Sequence, residues 1–162
     1  GCLLSRKSIS IKKKSRPSWM RARLSWAIIC LDLKTEDSNP NGKDGGSNPP
    51  YHAPVFVLSH HERAPIAMEG GTTFHFVTDG IESALRKATE AAGDRPVKIM
   101  GGANTINQYL AAGLIDVLWL HVVPVTVGAG TRLFEGVPNL KLEPVEVGGT
   151  SVVTHIRYNV LK

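Results

Sequence analysis

The sequence predicts an α/β fold whose sheet is mostly parallel, flanked by helices, and completed by an antiparallel hairpin at the C-terminal end. Two observations lead to this prediction. From residue 51 onwards, apolar segments of strand length alternate with segments of helical period. Near the end of the chain, LEPVEVG and VVTHIRYNVL each alternate polar and apolar residues and are joined by Gly-Gly-Thr. Alternating strands and helices favour parallel pairing, and alternating segments around a glycine turn favour a hairpin.

Four strands precede the predicted hairpin. PVFVLSH begins with a proline, which is excluded from strand interiors, and then crowds Val, Phe and Leu together, as in a buried strand. TFHFVTD alternates, PVKIM is short and apolar, and DVLWLHVVPVTVG is a long apolar run. These patterns predict strands at 54–60, 73–79, 96–100 and 116–128.

Two helices are predicted between these strands. In residues 80–93, Ile81, Ala84, Leu85 and Ala88 share one face, with Asp79 as the N-cap and Gly93 as the stop. In residues 104–112, the apolar face holds Ile106, Tyr109 and Leu110, and Gly113 ends the helix.

Length and composition are those of an ordinary soluble globular protein. The 162 residues correspond to about one domain, with 42% hydrophobic residues, 16 glycines and 10 prolines. A chain of this length buries roughly 70% of the surface that its unfolded form exposes, which is enough for a real core.

The formal net charge of +5 belongs to the start of the chain. Of the 19 basic residues, eight lie within 1–24, where no acidic residue occurs, and the remaining eleven are outnumbered by the 14 acidic residues. The body therefore has no basic excess to offer a phosphate backbone, and nucleic acid is not an expected partner of it.

Residues 1–45 are predicted to be an atypical basic leader and linker, disordered or non-native, and residues 46–162 to be the folded domain. The leader has no sustained period, and KTEDSNPNGKDGGSNPP is a loop-forming stretch. Two other interpretations of the leader stay open: a transit peptide, or an arm that binds nucleic acid through residues 6–23.

The two cysteines and the longest apolar run of the leader exclude several classes. Cys2 and Cys30 have no partner at metal-binding or disulfide-framework spacing, so no metal is expected. The run from Trp26 to Cys30 is far shorter than the roughly 20 residues that span a bilayer. A cytoplasmic protein without a membrane partner is therefore expected.

The pair Gly101-Gly102 lies between the end of a predicted strand and the start of a predicted helix. Backbone N–H groups at a helix start can bind a phosphate, and a Cβ at either glycine would occupy the space that the phosphate needs. Glycine also permits unusual dihedral angles there, and Asn104 or Thr105 could cap the helix. A plain tight turn is the alternative interpretation.

A second group of polar residues follows the strand at 54–60. Ser59, His60, His61 and Arg63 provide the hydroxyl, imidazole and guanidinium donors that suit the 2′-phosphate of an adenosine ribose. A solvated loop charge is the alternative for Arg63. Adjacent histidines on a strand point to opposite faces, so a metal site at His60 and His61 is not expected.

In several stretches the sequence resembles the dihydrofolate reductase family, in the form similar to the C-terminal reductase domain of the bifunctional riboflavin-biosynthesis deaminase-reductase. The resemblance covers about residues 46–160. The stretches are NPPYHAPVFVLSHHERAP, GGTTFHFVTDGIESAL, MGGANTINQYLAAGLIDVLWLHVVPVTVGAGTRLF and VTHIRYNV. It implies a dihydrofolate-reductase-like fold that binds NADPH and transfers hydride to a small pterin- or pyrimidine-like heterocycle, in a protein that is often a homodimer.

The resemblance also implies roles for particular residues, although it names no catalytic acid or base. The glycine pair matches the family's pyrophosphate contact, and Thr78 with Asp79 matches a strand end near the adenosine. His121 falls on a strand position that faces the substrate pocket, with a structural histidine as the alternative. The helix start at the pyrophosphate is Ala103, Asn104, Thr105 and Ile106, and the loop around the 2′-phosphate contains Ser59, His60 and Arg63.

The first 45 residues depart from the family pattern. The family's N-terminal strands and its SLDG-like loop are not recognisable there, and LDL at 31–33 is no substitute. The expectation is that these strands are missing, which leaves a catalytically inactive or truncated cofactor-binding domain as an alternative function. A sheet without a central strand would also expose unpaired edges.

Overall fold

The computed structural model describes residues 8–11, 27–31, 49 and 51–162. Within them, nine strands and two α-helices follow in the order β1 (Ser8–Ile11), β2 (Ala27–Leu31), β3 (Pro54–Leu58), β4 (Ile66–Ala67), β5 (Thr73–Val77), α1 (Ile81–Ala92), β6 (Val97–Ile99), α2 (Ala103–Ala111), β7 (Val117–Val122), β8 (Lys141–Gly149) and β9 (Thr154–Leu161). The chain forms two compact units: a central unit, Lys13–Val97, and a terminal unit, Gly1–Lys12 with Lys98–Lys162.

The central unit contains the parallel strands. β2 pairs with β3 and β3 with β5, all parallel, while the short β4 pairs antiparallel with β5. Val55, Phe56 and Val57 of β3 are all buried, in agreement with the prediction of a buried strand. Because β3 and β5 are parallel and Leu58 lies opposite Val77, the two strands end side by side.

Helix α1 packs against β2 and β3 through small side chains. Ala84 and Ala88 are completely buried, which lets the helix approach the strands closely. Gly93 ends the helix as predicted, with φ of 60° and an N–H donated to the Thr89 carbonyl. The predicted N-cap is wrong: Gly80 takes that position without a side-chain cap. The Asp79 carboxylate instead accepts from its neighbour Thr78 and forms an ion pair with Lys87 at 3.5 Å.

The terminal unit is mainly antiparallel. β7 pairs with β1 on one side and β9 on the other, and β8 continues the sheet beyond β9. The predicted hairpin is confirmed as β8 and β9, with a register shift between Pro144 and Glu146. In α2, Ile106, Tyr109 and Leu110 are buried, as the helical period predicts.

Two expectations about strands need correction. β7 ends at Val122, well short of 128, because Pro124 has no N–H for a ladder and the partner strand β9 starts only at Thr154. The leader, expected to contain no strand, contributes β1 and β2. The other residues of 1–45, including all the basic residues of 6–23, lie outside the described residues.

The α/β class predicted from the sequence is thereby confirmed, with parallel strands, flanking helices and a C-terminal antiparallel hairpin. In the part of the chain that the structure describes, no helix is long and apolar enough to cross a membrane.

Candidate functional site

The glycine pair enters helix α2 in the terminal unit as predicted from the sequence. β6 ends at Ile99, and Gly102 is the N-cap of α2, with no side-chain cap. The N–H groups of the first three helical residues thus have no acceptor within the helix, which makes this end suited to an anion. The Ile106 N–H is already donated to the Gly102 carbonyl at 3.2 Å, so Ile106 supplies no donor to a ligand.

Space, rather than backbone conformation, requires a glycine here. Neither glycine has a positive φ, and Gly102 adopts an ordinary φ of −63° and ψ of 164°, so the expected unusual dihedral angles are absent. A Cβ at Gly101 would lie 3.2 Å from the Cβ of Thr105. Since Thr105 is completely buried, it has little room to move away.

Thr105 carries a hydroxyl that lacks a partner. Its Oγ1 is buried and makes no hydrogen bond within the described residues. A buried donor without an acceptor costs about 1–3 kcal/mol. This hydroxyl, Gly101 and the uncapped first turn lie together at the N-terminal end of α2.

The other predicted helix-start residues do not cap α2. Asn104 is exposed, and its side-chain oxygen accepts from Gln108 at 3.4 Å instead of a backbone N–H of the first turn. Ala103 is the first helical residue. The side-chain amide of Asn104 is exposed, so a ligand at this end of the helix could contact it.

In the central unit the structure brings together Ser59, Arg63 and Thr78. Ser59 and Thr78 are the residues directly after the neighbouring ends of β3 and β5. The Ser59 hydroxyl accepts from the His61 N–H at 3.1 Å, which shapes the turn after β3. The Arg63 guanidinium lies 5.5 Å from the centre of the Phe76 ring on β5. That stacking places a cation beside the two strand ends, whereas the side chain of His60 is exposed.

His121 lies on β7 directly opposite His155 on β9. The two Nδ1 atoms are 2.5 Å apart and the rings meet edge to face. On the same strand, the ring centre of Trp119 lies 5.5 Å from that of His121. Burial lowers the pKa of His121, and the Coulombic effects of His155 and Lys98 lower it further. The sequence pattern predicts a role for His121 but not for His155, because the pairing of β7 with β9 that makes them partners is a long-range contact.

Asn107 is a second residue that sequence analysis missed. It is only 7% exposed, and its amide donates to the Arg132 carbonyl at 2.8 Å while its oxygen accepts from the Phe134 N–H at 2.8 Å. These bonds hold the TRLF segment, in which Phe134 has a φ of 72°. A buried amide on an otherwise apolar helix face is the pattern that could have revealed it.

Within the described residues, no group of three or more histidine, cysteine or carboxylate side chains is arranged to hold a metal ion.

Comparison with solved structures reveals relatives with similar folds. A putative riboflavin biosynthesis protein from Shewanella sp. PV-4 is 18% identical, with 94% of this chain and 85% of that one covered and a TM-score of 0.61. A diaminohydroxyphosphoribosylaminopyrimidine deaminase/5-amino-6-(5-phosphoribosylamino)uracil reductase from Thermotoga maritima is also 18% identical. That match covers 85% of this chain and 46% of that chain, with a TM-score of 0.55. No curated protein matches the chain.

The family comparison agrees with the resemblance seen in the sequence. The family model described as the RibD C-terminal domain matches residues 31–154, so it begins within β2 and extends to the first residue of β9. This range includes both the glycine pair and His121, and it covers most of the chain. The chain therefore belongs to the RibD C-terminal domain family.

Proposed function

We propose that this chain is an NADPH-dependent reductase of a small pyrimidine- or pterin-like heterocycle. The observation that carries the proposal is the start of α2, where an uncapped helix, Gly101 and the unpartnered hydroxyl of Thr105 meet. Family membership and the reductase named in the Thermotoga maritima relative support it. When bound, NADPH would supply a hydride to the substrate.

The residues of each unit have separate roles in this proposal. In the terminal unit, Gly101, Gly102 and the N–H groups from Ala103 to Thr105 bind the pyrophosphate, with Asn104 beside them. In the central unit, Arg63 binds the 2′-phosphate, together with Ser59, His60 and Thr78. His121 binds the substrate. The chain's part in the reaction is to hold the two reactants in position, since effective molarity can supply much of a rate enhancement.

Cofactor binding is tested by titrating the purified chain with NADPH and, in parallel, with NADH, following cofactor fluorescence. We expect NADPH to bind more tightly. Gly101→Val should abolish binding of both cofactors, because the added side chain meets Thr105 and fills the phosphate space. A Gly101→Val variant with a native circular dichroism spectrum and unchanged affinity would refute the role of the helix start.

The 2′-phosphate contact is tested by Arg63→Gln, which removes the positive charge that lies over Phe76 and keeps a polar side chain. We expect NADPH affinity to fall by about tenfold and NADH affinity to stay constant, because only NADPH carries the 2′-phosphate. Arg86→Gln is the matched control, since Arg86 is an exposed arginine of the same unit whose ion pair is with Glu90. Equal effects of both variants would contradict the assignment.

Turnover separates an active reductase from an inactive cofactor-binding domain. The probe is 5-amino-6-(5-phosphoribosylamino)uracil in its deaminated, unreduced form, the compound class named for the Thermotoga maritima relative. Loss of NADPH absorbance with this probe, or with a dihydropterin, would support the reductase. Cofactor binding without consumption by any pyrimidine or pterin would favour the inactive alternative.

Homodimer formation and a cytoplasmic location complete the proposal. Several valines of the terminal unit expose more than half of their surface and are candidates for burial in a dimer interface. They are Val122, Val125, Val127, Val147 and Val152. Light scattering after gel filtration should give twice the mass of 17.5 kDa, and cell fractionation tests the location.

A further inference from the structure

The contact between His121 and His155 constrains the protons of both rings. A neutral imidazole carries one N–H, on either Nδ1 or Nε2, and the other nitrogen is an acceptor. With the two Nδ1 atoms 2.5 Å apart, one of them must carry a proton and the other must accept it. The tautomer of each ring is therefore tied to that of its partner.

Charged side chains lie on the elements around the two rings. Lys98 on β6 acts on His121, and Arg157 on β9 lies two residues from His155 on the same face, in an ion pair with Glu146 of β8 at 3.7 Å. β1, the other neighbour of β7, has only serine and isoleucine at its positions. Burial and, after it, the Coulombic effects of His155 and Lys98 lower the pKa of His121, which favours the neutral form of its ring.

We propose that His155 is a positioning residue for His121. Nδ1–H of His155 donates to Nδ1 of His121, which leaves the single proton of His121 on Nε2. His121 is thereby held as a hydrogen-bond donor toward an acceptor atom of the substrate. The inference rests on the proposed function, in which His121 binds the substrate, but the state of the two rings can be measured without any turnover.

Two variants of His155 separate the hydrogen bond from the shape of the side chain. His155→Asn keeps a donor on the atom next to Cγ, near the position of Nδ1, whereas His155→Leu keeps similar bulk without a donor. His61→Leu, in the exposed turn after β3, is the control for loss of a histidine elsewhere. Folding of each variant is checked by its amide nitrogen–proton spectrum.

The first readout is long-range nitrogen–proton correlation of the imidazole rings over a pH series. In the wild-type chain we expect His121 to carry its proton on Nε2 and His155 to carry one on Nδ1. In His155→Leu, His121 should become a mixture of tautomers and its pKa should rise, because the Coulombic effect of His155 is lost. His155→Asn should restore the single tautomer, and an unchanged His121 in His155→Leu would overturn the proposal.

The second readout is the pH dependence of KM with the aminouracil probe. Loss of a donor fixed toward the substrate should raise KM by roughly 2- to 10-fold in His155→Leu, with a smaller change in kcat and recovery in His155→Asn. Equal KM values in all three proteins at every pH would overturn the proposal. If the wild-type chain reduces no probe, the proposed function fails, while the ring spectra still decide the role of His155.

Discussion

Replacing Asn107 by alanine tests how the TRLF segment is held against helix α2. The substitution removes two hydrogen bonds of 2.8 Å each, one to the Arg132 carbonyl and one from the Phe134 N–H. Each such bond contributes about 1 kcal/mol net. Because Arg132 and Phe134 are exposed, water can hydrogen-bond to the backbone groups that lose Asn107 as a partner. No additional cost of unsatisfied buried polar groups is therefore included. The expected loss is about 2 kcal/mol of unfolding free energy.

Thermal unfolding followed by circular dichroism measures this loss. For a chain of this length, about 2 kcal/mol corresponds to a fall in Tm of about 4–8 °C. The TRLF segment should also become more susceptible to proteolysis, since Phe134 keeps its φ of 72° only while its backbone is held.

Gln108→Ala is the matched control for this experiment. Gln108 is the next residue of the same helix, but it is exposed, and its side-chain amide donates to the Asn104 side-chain oxygen at a long 3.4 Å. Its loss should change stability by less than about 0.5 kcal/mol. If Asn107→Ala and Gln108→Ala unfold at the same temperature, the two hydrogen bonds of Asn107 do not stabilise the fold and the reasoning fails.

Three further outcomes are expected. Thr105→Val should stabilise the free chain by about 1 kcal/mol, because it replaces an unpartnered buried hydroxyl by a methyl group of similar size, and it should weaken NADPH binding. Denaturant unfolding with and without NADPH measures both effects. A destabilised free variant would contradict the assignment. Gly149→Ala should lower the free energy of unfolding by about 1–3 kcal/mol, because the added Cβ would lie 2.9 Å from the Val153 carbonyl oxygen. Gly148→Ala is the control, since the space around its Cβ is open and its stability should not change. Equal midpoints of urea unfolding for the two variants would refute this prediction. Since the folded-state pKa of His121 is lowered, the stability that His121 contributes is present above the unfolded pKa of about 6.5 and is lost as pH falls. His121→Gln should therefore flatten the decline in Tm between pH 7 and pH 5. An unchanged decline in Tm would count against this prediction.

Local pattern was enough to predict most elements of residues 51–162. In α1 and α2 the apolar period matches the buried face, and in β3 the continuous apolar run matches a buried strand. Glycines predicted the ends of the helices and the hairpin turn, because a glycine affects the backbone conformation of only a few neighbouring residues. The leader strands β1 and β2 were not predicted, because the basic, serine-rich sequence in which they lie has no sustained period.

Helix caps and strand ends depended on contacts that sequence spacing does not contain. Asp79 was a reasonable N-cap from its position, but its carboxylate is engaged by Thr78 and Lys87. The apolar run after Val122 continues to Val127, yet β7 stops where Pro124 interrupts the ladder and no partner strand continues. A strand exists only where a neighbour pairs with it, so its length is a property of the sheet.

The fold class, the position of the glycine pair between a strand and a helix, and the family resemblance follow from the sequence, because each depends on residues close together along the chain. Three contacts become visible only in the folded chain: Gly101 lies against the buried Thr105, His121 meets His155, and Asn107 holds the TRLF segment. Except for Gly101 and Thr105, these partners are separated by 25 residues or more. Contacts at such separations are set by strand register and helix packing, and these follow from burying the whole apolar surface together.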